Sequence, residues 1–313
     1  MDKLDINTNA DDEARALFMG TTPERPDDVS QILDNVQFER AHDRPALHLE
    51  ANAFFDKGLV VFTDRTMQQI WLIAYLSWKT LHEQSSFVIV SQAGNEPYDV
   101  SLNDKHDKYV SQVDRLGQAL SNLREAEPGQ TPWPPDVPRL DPDLSELRDE
   151  EDHAAYDLGC FAVSFALLHE VRHAQKRLEN KPYDIDEEME CDRFATNFLL
   201  DQCEQYASKN NHDTIQVYRK RSMGVFLGLA VMFESTEIGL WLPSESHPSM
   251  FERIDQFREI VEPNVPDKND DLWLLMSCVL LSKARRDNHL PETIYFENFY
   301  DLSCKVLKLM RHG

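Results

Sequence analysis

Nine consecutive residues, Cys160-Phe161-Ala162-Val163-Ser164-Phe165-Ala166-Leu167-Leu168, present apolar groups on nearly every face of a helix. A helix with no polar face is one that runs through a core, and that is the element expected here. Elsewhere the pattern is more ordinary. Residues 1–45 are polar and acidic, with Pro23, Pro26 and Pro45; helical pieces are expected around Asp11–Met19 and Val29–Glu39, in a start that is loosely attached. From residue 46 two β-prone runs, Ala46 to Phe55 and Leu59 to Thr63, flank a turn at Asp56-Lys57-Gly58, which predicts a hairpin. Thr63 or Asp64 can then cap a helix running through Met67 to Trp78.

The next stretch, 85–153, reads as an insertion. Ser85 to Val90 suggests a short strand and Tyr109 to Ala126 a polar helix. The proline-dense run Glu127 to Pro138 can form neither helix nor central strand, and it reads equally as a linker or an ordered cover. Asp149-Glu150-Glu151-Asp152 suits the start of the apolar helix, where the helix dipole favours negative charge. After a break at Asn180-Lys181-Pro182, an amphipathic helix follows over Asp186–Leu200. Further helices are expected near Tyr218–Glu237, Pro248–Val261, Asp271–Arg286 and Tyr295–Arg311. The fold class is α+β and mainly α-helical, with a small sheet or hairpin near residues 46–64. Its organisation is an N-terminal segment (1–45), a main domain (46–262) carrying the insertion at 85–153, and a C-terminal helical extension (263–313).

The apolar helix ends in His169-Glu170-Val171-Arg172-His173. Residues four apart on a helix differ by only ~40°, so both imidazoles face one way and can share a zinc ion. Glu170 then lies close enough to a bound water to take its proton. The same five residues can arise by chance on a charged helix. Zinc catalysis also needs a third protein ligand, commonly a carboxylate. Glu187, Glu188 and Glu190 all lie on the next helix, which in an acidic protein is often simply a solvated face. Glu188 is favoured because Asp192 follows it by four residues and can accept from the outer nitrogen of a ligating histidine; Glu187 and Glu190 are expected to point into water. His247, fixed by Pro248 at a helix start, reads either as a capping residue or as a donor to the oxyanion formed when water attacks a carbonyl. Arg253 reads as a surface arginine, a similar donor, or a binder of a substrate carboxylate.

Charge narrows the partners. With 56 acidic and 32 basic residues the chain carries −24 at pH 7, and no basic stripe is available for nucleic acid. The longest apolar run, Gly224 to Leu242, is interrupted by Glu234 and Glu237 and reads as a buried helix, not a membrane span. Five cysteines without a C-x-x-C and a polar start, Met1 to Asp5, predict a soluble cytoplasmic protein.

H-E-x-x-H at 169–173, Glu188-x-x-x-Asp192 followed by Phe194-Ala195, and His247-Pro248 before Arg253-Ile254 together resemble the glutamate-type zincins. More narrowly they resemble the prenyl-protein zinc-protease family and its soluble relatives, with the best fit to the Lit-type phage-exclusion peptidases. Asn52-Ala53-Phe54 is similar to that family's edge-strand segment, which binds substrate. The resemblance implies a zincin-like metallopeptidase fold over about 46–262, one Zn2+ per chain on His169, His173 and Glu188, Glu170 as base, and His247 near the oxyanion. It implies an endopeptidase acting on a protein bound as an extended strand, and a role in phage exclusion; the charge and the lack of a membrane span expected above add no nucleic acid and no membrane. Two other functions compete: a non-catalytic zinc-containing regulatory protein, and a general peptide-degrading zinc enzyme.

Overall fold

The chain opens with two helices, α1 (Asn7–Thr21) and α2 (Pro26–Asn35), and then turns into a strand, β1 (Val36–Arg40). The structure is a computed structural model that describes residues 7–41, 49–54, 56–101, 107–127, 130, 132–135, 137–139, 147, 149–179, 186–235, 248–287 and 289–312. The helix expected over Val29–Glu39 therefore stops at Asn35. Val36 and Phe38 are buried while Gln37 between them is exposed, the period of two that a strand imposes. β2 (Leu49–Phe54) and β3 (Lys57–Phe62) form the expected hairpin, with Asn52 opposite Leu59. β1 joins it parallel to β3, giving the order β1-β3-β2 with β2 outermost. The described part of the N-terminal region is not loosely attached. Ala10, Phe18 and Val29 are buried, and Glu24 forms a buried ion pair with Arg221.

Thr63 caps α3 (Asp64–Gly94), its hydroxyl accepting from the backbone N–H of Thr66 at 3.1 Å. This helix runs through Ser85–Val90, where a strand was expected. In a strand Val88 and Val90 would share a face. Here Val88 is buried and Val90 is 69 % exposed, as residues about 200° apart on a helix must be. The boundary drawn at residue 85 thus falls inside α3. β4 (Tyr98–Asp99), α4 (Asp107–Glu125) and α5 (Glu150–Leu178) follow. Then come α6 (Glu187–Leu200), α7 (Cys203–Asn210), α8 (Thr214–Ser235), α9 (Met250–Val261), α10 (Asp271–Arg286), β5 (Thr293–Ile294) and α11 (Phe299–His312). The last helix begins four residues later than expected because Thr293 and Ile294 pair antiparallel with β4. The fold is mainly helical α+β.

α5 is the apolar helix, and it is enclosed. Asp149 caps it, accepting from the N–H of Asp152 at 2.8 Å. Its length and composition would allow a membrane span, but 72 % of its apolar window is buried against the rest of the protein. α8 crosses it closely: Gly224 faces Phe161 and Gly228 faces Phe165, and a Cβ at Gly228 would lie 2.6 Å from the Phe165 ring. On another side β3 approaches so near that a Cβ at Gly58 would sit 2.9 Å from that of Ala174. α3 packs on a third side, with Trp71 against Gly159. Each fully buried leucine or phenylalanine in such a helix stabilises the fold by about 1.5–3 kcal/mol.

The described part of the proline-dense segment is held on α3. Arg65 donates to the carbonyls of Ala126 and Glu127 at 2.8 and 3.0 Å, and the Trp71 indole donates to Pro138 O at 2.8 Å. One buried cluster runs from Ala10 to Met310, so α1, α10 and α11 share the core that encloses α5.

Candidate metal centre

His169 and His173 sit on one face of α5 near its C-terminal end, both buried, with their Nε2 atoms 3.0 Å apart. α6 lies across them and brings Glu188 opposite. Glu188 Oε2 is 3.2 Å from His169 Nε2, and Oε1 is 3.3 Å from His173 Nε2. One ligand atom from each of the three lies within 4.8 Å of the others, a grouping that can hold a metal ion.

The outer nitrogens are also occupied. Nδ1 of His169 is 2.9 Å from Asp192 Oδ1, and Nδ1 of His173 is 2.6 Å from Glu187 Oε1. A carboxylate can only accept, so each Nδ1 carries a hydrogen and donates it. Both Nε2 lone pairs then point inward at each other and at Glu188. Three acceptors converge, and a cation between them relieves the repulsion. A proton answers the same electrostatics. Burial works against a charged His169, but the carboxylates of Asp192 and Glu188 outweigh it and lift its pKa to about 9. Burial likewise works to raise Glu188, yet the adjoining histidines and the Arg253 cation hold it far below the usual carboxylate range.

Two residues sit differently from expectation. Glu187 does not point into water. It is 1 % exposed, bound to His173, and paired at 3.3 Å with Arg177. The 100° between helical neighbours keeps Glu187 off the face that Glu188 presents, but an imidazole offers nitrogens on two edges. Adjacent residues can each take one. Arg253 is not a surface residue, nor is its guanidinium free for a substrate. It is buried and grips Asp192 with two hydrogen bonds, 2.5 Å to Oδ2 and 2.6 Å to Oδ1, while Nη1 stands 3.7 Å from Glu188 Oε2. Glu190 does face solvent, its side chain 44 % exposed and paired with Lys176 and Arg172.

Glu170 is partly exposed beside the two histidines, and burial raises its carboxyl above the ordinary range despite their opposing charge. His247 lies outside the described residues. The helix after it is firmly placed by a capping box: Ser249 Oγ accepts from Glu252 N at 3.1 Å, and Ser249 N donates to Glu252 Oε2 at 2.8 Å. Pro248, expected in that helix's first turn, precedes its N-cap. In β2, Asn52 donates to Glu50 Oε1 at 2.9 Å. Ala53 and Phe54 pair opposite Gly58 and Lys57, and their side chains lie outside the described residues. Two cavities, of about 820 and about 450 Å³, lie along the N-terminal half of α5 and share Glu13, Leu17, Tyr156 and Cys160. Neither of these two is lined by a residue of the cluster.

Fold and cluster together define a mainly helical α+β protein with a buried site able to hold a metal ion. The family model Peptidase U49 matches residues 60–276, a span that takes in α5, α6 and α9. The chain belongs to that family and is a peptidase. No curated protein and no solved structure matches it.

Proposed function

We propose that this peptidase is a zinc endopeptidase of the Lit-type branch, acting in the cytoplasm on a protein substrate during phage exclusion. The observation that carries the metal reading is the convergence of His169 Nε2, His173 Nε2 and a Glu188 oxygen with both outer nitrogens already spoken for. Two neutral imidazoles and one carboxylate are a donor set that suits zinc. When bound, zinc would supply Lewis acidity, lowering the pKa of a water and polarising a substrate carbonyl.

The residues of the chain divide the remaining work. Glu170 takes a proton from the attacking water and returns it to the leaving nitrogen as the peptide C–N bond breaks. A raised carboxyl pKa suits a group that must both accept and release a proton near neutral pH. His247 would donate to the oxyanion. The outer strand β2, at Asn52-Ala53-Phe54, offers backbone groups with which an extended substrate can pair, leaving sequence preference to side-chain contacts.

The test is expression of wild type and Glu170→Gln, followed by metal analysis and proteome-wide labelling of new N-termini. The expected result is about one zinc per chain in both proteins, with a narrow set of cut sites in wild type and none in the variant. Cleavage by Glu170→Gln at a near wild-type rate would sink the mechanism. Many unrelated cut sites would replace the selective role with general peptide degradation.

A further inference from the structure

We propose that Glu187 is a positioning residue for this centre, doing for His173 what Asp192 does for His169. The inference rests on the reading of the cluster as a metal site. Glu187 Oε1 is 2.6 Å from His173 Nδ1, a shorter approach than the 2.9 Å between Asp192 and His169. It is also almost wholly buried, in a helix whose first turn carries two more acidic side chains, Glu188, which is buried, and Glu190, which reaches solvent.

Each histidine is therefore followed by a carboxylate and each carboxylate by an arginine. Asp192 is gripped by Arg253 from α9, while Glu187 meets Arg177, one turn beyond His173 on α5 itself. The arginine holds the carboxylate in place with an oxygen turned to the ring, and an acceptor there favours the hydrogen on Nδ1. That fixes the tautomer of His173 and aims its Nε2 lone pair at the centre. The same bond ties the first turn of α6 to the last turns of α5. Glu188 is the next residue, so this tie also sets its carboxylate across from both histidines. Without Glu187, His173 can turn its ring or move its hydrogen to Nε2, and either change removes a ligand.

The experiment uses the full-length chain stripped of metal, titrated with zinc against a chelator, for wild type, Glu187→Ala, Glu187→Gln and Glu190→Ala. Glu187→Ala and Glu187→Gln are expected to bind zinc about 10–100-fold more weakly, the scale for losing such a partner. Glu190→Ala is expected to match wild type. Long-range ¹H–¹⁵N NMR of the metal-free proteins provides a readout that a packing role would not move: His173 carries its hydrogen on Nδ1 in wild type and loses that preference in Glu187→Ala. If Glu187→Ala unfolds, Glu187→Gln, which keeps the shape, decides. Wild-type zinc affinity in the folded Glu187 variants overturns the positioning role while leaving the metal centre standing. Failure of wild type itself to bind zinc removes the metal reading, and this inference with it.

Discussion

Around the histidine pair, charge is buried in quantity, and Arg253 determines how much of it is tolerable. Burial works against the Arg253 cation, but Asp192 outweighs it and drives its pKa still higher than usual. Burial works against the Asp192 anion too, and Arg253 holds it below the ordinary range. Removing one member of such a pair strands the other in a poorly solvated place, which costs about 3–5 kcal/mol. Arg253→Ala should therefore lower the urea midpoint of the metal-free protein by a margin of that order. Arg253→Lys should recover only part of the loss, because an ammonium cannot reproduce the two-pronged contact with Asp192. A midpoint for Arg253→Ala within about 1 kcal/mol of wild type would mean that Asp192 finds other partners.

Between elements, the site depends on how closely α8 can approach α5. Gly224 and Gly228 are four apart, as are Phe161 and Phe165, so two glycines of one helix receive two phenylalanines of the other. A Cβ at Gly224 would overlap that of Phe161, an atom that cannot move unless the helix moves. Alanine gains about 1 kcal/mol of helix propensity over glycine, yet overpacking typically costs about 1–3 kcal/mol. The overlap lies at the backbone side of the ring, where no rotamer change relieves it, so cost outweighs gain. Gly224→Ala should lower the thermal midpoint, and an unchanged or higher midpoint would show that the helices can part freely. Since Phe161 lies two turns before His169, the shift should also weaken zinc binding.

Across the whole molecule, Glu234 ties three helices together. It sits on α8, its carboxylate paired with Arg286 and, at 3.7 Å, with Lys283 of α10, while Arg124 of α4 donates to its backbone carbonyl at 2.7 Å. Burial works to raise its pKa, but the cations outweigh it and the carboxyl titrates below its ordinary range. A depressed folded pKa means that the unfolded chain binds the proton more readily. The stabilisation is thus complete above the unfolded pKa of about 4.3 and is lost as pH falls toward the folded value. Glu234→Gln should be less stable than wild type at pH 7, and the gap should narrow below about pH 4.3. Urea midpoints of the two proteins measured from pH 7 to pH 3 check this; a constant gap would remove Glu234 from the acid sensitivity of the fold.

What the sequence determined by itself was whatever depends on neighbours within a turn or two of chain. His169 and His173 share a face because four residues nearly complete a helical turn. Thr63 and Asp149 cap because their side chains reach N–H groups three residues on, and the β2–β3 hairpin closes over a short turn. The mainly helical class and the buried character of α5 follow from periodicity alone. What only the tertiary structure decided were relations between distant segments. β1 became a strand because β3 was there to pair with it. Val88 and Val90 were separated by a long helix that a short apolar run could not announce. Glu187 and Arg253 carry no local sign of burial, because a charged side chain reads as solvated until the partner that neutralises it arrives from elsewhere in the chain. Spacing along one helix is set by backbone geometry, whereas the crossing of α6 over α5, and the seating of α9 against α6, are set by the packing of the whole core.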